Sequence, residues 1–153
     1  MRCPRRRHRR GEVAADLLAS VPERYRGCPS FSFGDSPELA NELAALVISG
    51  RKTATANTPD APDCPKLNEL WIVLDGTGRP VCVIETLELI PRRFDEVDEA
   101  FAFDEGEGDR SLAFWRDAHE SYFRRIGAFS PDMPLLCERF RLVEVFAPMD
   151  VDA

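Results

Sequence analysis

The chain is most constrained by two long β-rich runs, LWIVLD with PVCVIETLELI at 70–90 and PLLCERFRLVEVF at 134–146, separated by a helix-patterned stretch. The first run predicts two strands joined by the turn GTGR, with β-branched enrichment and period-2 alternation in its second half. That alternation puts Val81, Val83, Glu85, Leu87 and Leu89 on one face, so Glu85 is expected among apolar neighbours. The last run reads as one long strand, alternating on both faces and ending near Pro148.

Two helices are predicted around these strands. Ser36 is placed as an N-cap with Pro37 at the first helical position, Leu39, Leu43, Leu46 and Val47 form one face, and Gly50 supplies the stop. From Phe94 the pattern is again helical but breaks at EGEGD, where Asp109 is expected to cap RSLAFWRDAHESYFRRIG. Leu112, Trp115, His119, Tyr122 and Ile126 make the apolar stripe of that helix. Between the first helix and LWIVLD lie a short Thr-rich strand, RKTATAN, and an exposed loop, TPDAPDCPKLNE. Strands that flank and enclose helices without βαβ alternation predict a mixed α/β (α+β) protein with a mixed sheet or small barrel, not a Rossmann layout.

At 153 residues the chain suits one domain. Residues 1–29 read as a basic arm and weak helix, partly disordered, 30–147 as the domain, and 148–153 as a tail. No apolar run reaches the roughly 20 residues of a membrane span. The five cysteines are odd in number, scattered and never in C-x-x-C pairs, which suits a reducing cytoplasm and suggests neither a disulfide framework nor a zinc knuckle. Six of the 20 basic residues lie in positions 1–10 and all 27 acids lie beyond, so the body carries 14 positive against 27 negative charges, a net of −13. Such a body does not grip long duplex DNA, and any nucleic-acid contact is expected to be local or single-stranded.

The chain has 18 arginines and only two lysines, Lys52 and Lys66. An ammonium, unlike a guanidinium, loses its proton under burial, so Lys52 is a candidate base that takes the hydroxyl proton of Thr55, provided a turn brings the two together. The other reading is a surface lysine beside ordinary strand threonines. Asp104, Glu105, Glu107 and Asp109 crowd two glycines in DEGEGD. They suit acid/base work or a divalent cation, or equally the favourable dipole at a helix start. His119 on its stripe is more often a bonded core residue than a catalyst. Trp115, Tyr122 and Phe123 can stack a base or simply fill the core. Arg139 and Arg141 can meet phosphate or stand solvated on the last strand, and Glu85 is either a cation's buried partner or a strand-edge carboxylate. P-loop, zincin and nucleophile-elbow motifs do not occur.

FGDSPELANELAALVISGRKTATA, PVCVIETLEL, FDEGEGDRSLAFWRDAHESYF and CERFRLVEVF, in that order, resemble the longer bacterial branch of the ASCH-domain family over about Phe31 to Phe146. The resemblance implies a PUA-like small β-barrel with flanking helices and a cleft for single-stranded RNA or a modified nucleoside. Some members of that branch are described as ribonucleases aided by a metal ion, Mn or Mg. A shorter branch is described as amidohydrolases acting on N4-acetylcytidine through a Lys-x-x-Thr pair and a glutamate. By this resemblance single-stranded RNA cleavage is the first expectation, with amide hydrolysis or a non-catalytic RNA-binding module as alternatives. The catalytic set falls on Lys52, Thr55 and Glu107, with Glu105 the near alternative to Glu107. Arg51, Glu85, Glu105, Asp109, Arg116, His119 and Arg139 line or support the cleft. Where the family reads Pro-Lys-x-Gly-Asp, this chain has Pro65-Lys66-Leu67-Asn68-Glu69. Asn68 tolerates the positive φ of the turn, so the fold is expected to survive the change.

Overall fold

The computed structural model describes residue 17, residues 19–60 and residues 64–146. The basic arm at 1–10 and the tail at 148–153 therefore lie outside the described residues. In chain order the elements are β1 (Ser30–Ser32), α1 (Pro37–Ile48), β2 (Ala54–Asn57), β3 (Leu70–Leu74), β4 (Pro80–Arg93), α2 (Glu99–Glu105), α3 (Leu112–Arg125) and β5 (Pro134–Val145). The five strands form one sheet in the order β1-β3-β4-β5-β2, antiparallel except for the β1–β3 pair. The sheet curls into a half-barrel with the three helices against it, a mixed α/β, PUA-like arrangement.

Local chemistry explains most of the boundaries. The Ser36 side chain accepts a hydrogen bond from the Leu39 backbone N–H, and Pro37 opens α1 where its missing N–H costs nothing. Gly50, at φ +84°, ends the helix in a left-handed conformation that other residues resist. Asn68 takes φ +64° in the turn before β3, as its side chain permits. The second cap differs from expectation: Ser111, not Asp109, accepts from the Phe114 N–H at the start of α3. Asp109 accepts instead from the Ser111 N–H at 2.9 Å, holding the turn that leads into the cap.

Among the described residues three core clusters hold the structure together, the smallest made of Val21, Tyr25, Ile72, Leu74 and Val83. Phe31, Phe33, Leu43, Val47, Trp71, Ile84 and Phe140 pack between the sheet and α1. Ala54, Ala56, Phe94, Phe101, Trp115, Tyr122 and Leu135 pack around α2 and α3. Because Ala54 and Ala56 face this second core, strand alternation turns Thr55 and Asn57 to the opposite side of β2. Register shifts in β4, between Val83 and Ile84 and between Thr86 and Glu88, break the strict alternation expected there. Glu85 is consequently not among buried apolar side chains: it bonds to Arg141 at 2.6 Å on an exposed part of the sheet, and Leu87 is exposed. Among the described residues no helix is long and apolar enough to cross a membrane.

Replacing Ser36 by alanine removes the one side-chain acceptor at the α1 N-terminus. Chemical denaturation is expected to show a loss of about 1 kcal/mol with an unchanged denaturant slope.

Candidate functional site

Lys52 leaves the α1 stop and is driven inward: it is only 1% exposed. Its Nζ donates to the Ala54 carbonyl at 2.8 Å, Glu107 Oε2 at 2.9 Å, Glu105 Oε1 at 3.0 Å and the Glu105 carbonyl at 3.3 Å. Every one of these neighbours is an acceptor, so the nitrogen sits there as an ammonium with no lone pair to offer. Burial pulls its pKa down, but the charges of Glu107 and Glu105 outweigh burial and hold it above the ordinary lysine value.

Glu105 is the hub. It ends α2 and is completely buried; the Trp115 indole N–H donates to its Oε2, and His119 Nε2 lies 3.1 Å from the same oxygen without a well-aligned hydrogen bond. His119 Nδ1 faces the Trp115 carbonyl at 2.9 Å, and the two rings stack with centroids 4.1 Å apart. Burial pushes the Glu105 carboxyl up, yet the charges of Lys52 and His119 prevail and hold it well below the usual carboxylate range. Glu107 is the member of the cluster that reaches the surface, its side chain 10% exposed.

The acidic loop is fastened to the lysine turn by close contact. Gly106, at φ +73°, lies so near the Arg51 carbonyl that a Cβ would overlap it. Arg51 bonds back through Nε to the Gly106 carbonyl at 2.8 Å and also reaches the Gly108 carbonyl. The Thr53 N–H donates to the Asp104 carbonyl at 2.8 Å.

The structure thus unites Lys52, Glu105, Glu107 and His119 and puts Arg51 beside them. Thr55 is fully buried, and its hydroxyl has no hydrogen-bond partner; the expected Lys52–Thr55 bond is not made, because β2 turns the threonine to the other face while Nζ turns to the acids. Glu85 pairs with Arg141, Asp109 serves the Ser111 turn, and Arg139 bonds to Asp104 at 3.1 Å with Glu88 at 3.6 Å. Arg116 reaches the Val97 carbonyl at 3.3 Å. Sequence reading missed Glu138, a fully buried carboxylate opposite Thr55 in the β2–β5 register. It accepts from the Thr86 hydroxyl at 2.7 Å and from Asn57 Nδ2 at 3.3 Å. Its one signal in the sequence was its phase with Leu136 and Phe140 in the last strand.

One donor atom each from Glu105, Glu107 and His119 lie within 4.8 Å of one another, a set of the size that holds a metal ion. The fit is poor, because Lys52 Nζ already bonds one oxygen of each acid, and a divalent cation there would face the ammonium.

This mixed α/β, PUA-like half-barrel with a buried lysine–glutamate centre has relatives. The family model for the ASCH domain matches residues 29–144, and the chain belongs to that family. A crystal structure of a protein from Enterococcus faecalis V583 is 35% identical with a TM-score of 0.67, covering 75% of this chain and 76% of that one. The ASCH domain from Lactobacillus crispatus JV V101 is 29% identical with a TM-score of 0.69, covering 85% and 91%. No curated protein matches.

The buried charges make stability measurable in two ways. Glu105→Ala leaves a buried ammonium with half its counter-charge, and unfolding measurements are expected to show a loss of about 3–5 kcal/mol. Glu105, lowered in the fold, contributes stability that is present above its ordinary value of 4.5 and is lost as pH falls through its folded-state value. Lys52, raised in the fold, contributes stability that is full below 10.5 and is lost as pH climbs through its folded-state value. A melting-temperature profile should therefore be flat between these limits and fall outside them, with a shallower acid limb in Glu105→Gln.

Proposed function

We propose that this ASCH protein is a hydrolase for an amide on a nucleoside-type substrate, centred on Lys52, Thr55 and Glu107. One observation carries the reading: a fully buried ammonium, fixed by two carboxylates, lies three residues before a buried threonine whose hydroxyl makes no hydrogen bond in the fold, although that hydroxyl lies on the opposite side of β2. An oriented positive charge in a dry site stabilises the oxyanion that develops when an amide carbonyl is attacked. The lysine acts by its charge and not as the base, since its proton is held by four acceptors. Thr55 supplies the hydroxyl nucleophile. Glu107, which reaches the surface, accepts the threonine proton and passes it to the leaving amine, then takes a proton from the water that hydrolyses the Thr55 acyl ester, which releases the acid and restores the hydroxyl. The net charge of −13 on the body favours a compact substrate over a long polyanion.

Cleavage of single-stranded RNA is the second reading, favoured by the RNA association of the ASCH family and not by the Glu105, Glu107 and His119 set, whose acids Lys52 already engages. The assay that separates them offers N4-acetylcytidine and a single-stranded RNA, each with Mn²⁺ or with a chelator. Metal-independent release of acetate, lost by about 10²-fold or more in Lys52→Ala and Glu107→Gln, is the expected result. RNA cleavage that needs Mn²⁺, with acetylcytidine untouched, would replace the first reading by the second.

Thr55→Val gives a further outcome. Removing an unpartnered buried hydroxyl is expected to leave the melting temperature equal or higher, while amide turnover falls by about 10²-fold or more. Full turnover in this variant would remove the threonine from the mechanism.

A further inference from the structure

The face of β2 that carries Thr55 holds a second set of polar side chains, which the lysine centre does not use. Thr55 and Glu138 are direct partners across the β2–β5 ladder, so their side chains stand on the same face of the sheet. Both are completely buried. Asn57, two residues after Thr55 and on its face, donates to Glu138 Oε1 at 3.3 Å, and the Thr86 hydroxyl donates to Oε2 at 2.7 Å. Phe140, two residues after Glu138, packs against Phe33 with ring centroids 6.3 Å apart.

Two properties of this set point to a ligand. The Thr55 hydroxyl makes no hydrogen bond, and a buried hydroxyl without a partner costs the fold its lost hydration. Glu138 is fixed from two strands at once, by Asn57 of β2 and Thr86 of β4. A carboxylate oxygen accepts more than one donor, so these two bonds do not close it to a further N–H.

Spacing then selects the ligand. Directly opposed residues in an antiparallel pair have Cβ atoms about 4.5–5.5 Å apart. An attacking hydroxyl stands about 3–3.5 Å from a carbonyl carbon, and the amide nitrogen is bonded to that carbon at about 1.33 Å. When Thr55 faces an amide carbonyl, the residue across the ladder is therefore within reach of the neighbouring N–H.

We infer that Glu138 sets the specificity of the proposed reaction by accepting the N–H of the scissile amide. The substrate class is then a secondary amide, an acylated primary amine, and neither a tertiary amide nor an ester. This rests on the reading of Thr55 as the nucleophile. Asn57 and Thr86 are positioning residues for the carboxylate, and Glu138 transfers no proton, which remains the task of Glu107. A site built to bond an N–H rejects the analogue that lacks it, because its own buried acceptor is then left facing a methyl group or an oxygen lone pair.

Calorimetric titration of the full-length Thr55→Val protein compares N4-acetylcytidine with N4-acetyl-N4-methylcytidine, whose amide has no N–H. The first is expected to bind tighter by about tenfold or more, and Glu138→Gln in the same background, a neutral and weaker acceptor, to narrow the ratio to about twofold. With Thr55 restored, Glu138→Gln should raise KM for N4-acetylcytidine by about tenfold and change kcat far less, a split that general loss of structure does not produce. Equal binding of the two compounds by Thr55→Val would overturn the inference even if Glu138→Gln failed to fold, and so would an unchanged ratio in a folded Glu138→Gln protein. A wild type that turns over neither compound, while Thr55→Val keeps its preference, removes the proposed function and leaves the recognition standing. Turnover of both compounds at one rate does the reverse.

Discussion

The arrangement depends on burying one ammonium. A lysine brought out of water costs several kcal/mol unless carboxylates and carbonyls replace its hydration, and Lys52 obtains all four of its contacts from two places: its own turn and the loop at 105–107. That requirement ties the end of α1, the start of β2 and the end of α2 to one point. Glu105, itself buried, needs donors in turn, which brings in Trp115 and His119 from α3. A cluster of one ammonium and two carboxylates near the sheet edge thus ties three helices together.

The same demand explains why the loop is rich in glycine. Backbone must come within contact of Arg51 while reversing direction, and at Gly106 a side chain would collide with a carbonyl. The loop consequently has two sides: Glu105 and Glu107 point to the lysine, while Arg51 and Arg110 grip its carbonyls from outside. The acids inside and the arginine and aromatic side chains outside come from the twelve positions Phe103 to Phe114 and from Arg51 in one turn.

Much of the fold could be read from local pattern. The α1 cap at Ser36, the stop at Gly50, the 70–90 hairpin, the α3 stripe and the final strand each arise from neighbouring residues, and the structure has them. The misreadings occur where two local signals compete. Asp109 and Ser111 are both good caps, and the choice fell to the residue whose backbone the Gly106–Gly108 loop leaves extended. Glu85 fits the alternation of β4 on paper, but register shifts on either side of it move its side chain to Arg141.

The candidate site divides in the same way. The sequence by itself determined which residues were available: one lysine in a chain of arginines, placed after a helix stop, and a run of acids around two glycines, because composition and spacing are local properties. Family resemblance matched Lys52 with Thr55 and Glu107, with Glu105 the near alternative. Only the tertiary structure decided that Glu105 is the hub, that Lys52 turns away from Thr55, and that Glu138 stands across from the threonine. Those facts arise from strand pairing and helix packing between residues 10 to about 80 positions apart, and nothing in a short window of sequence records which distant charge will cancel a buried one.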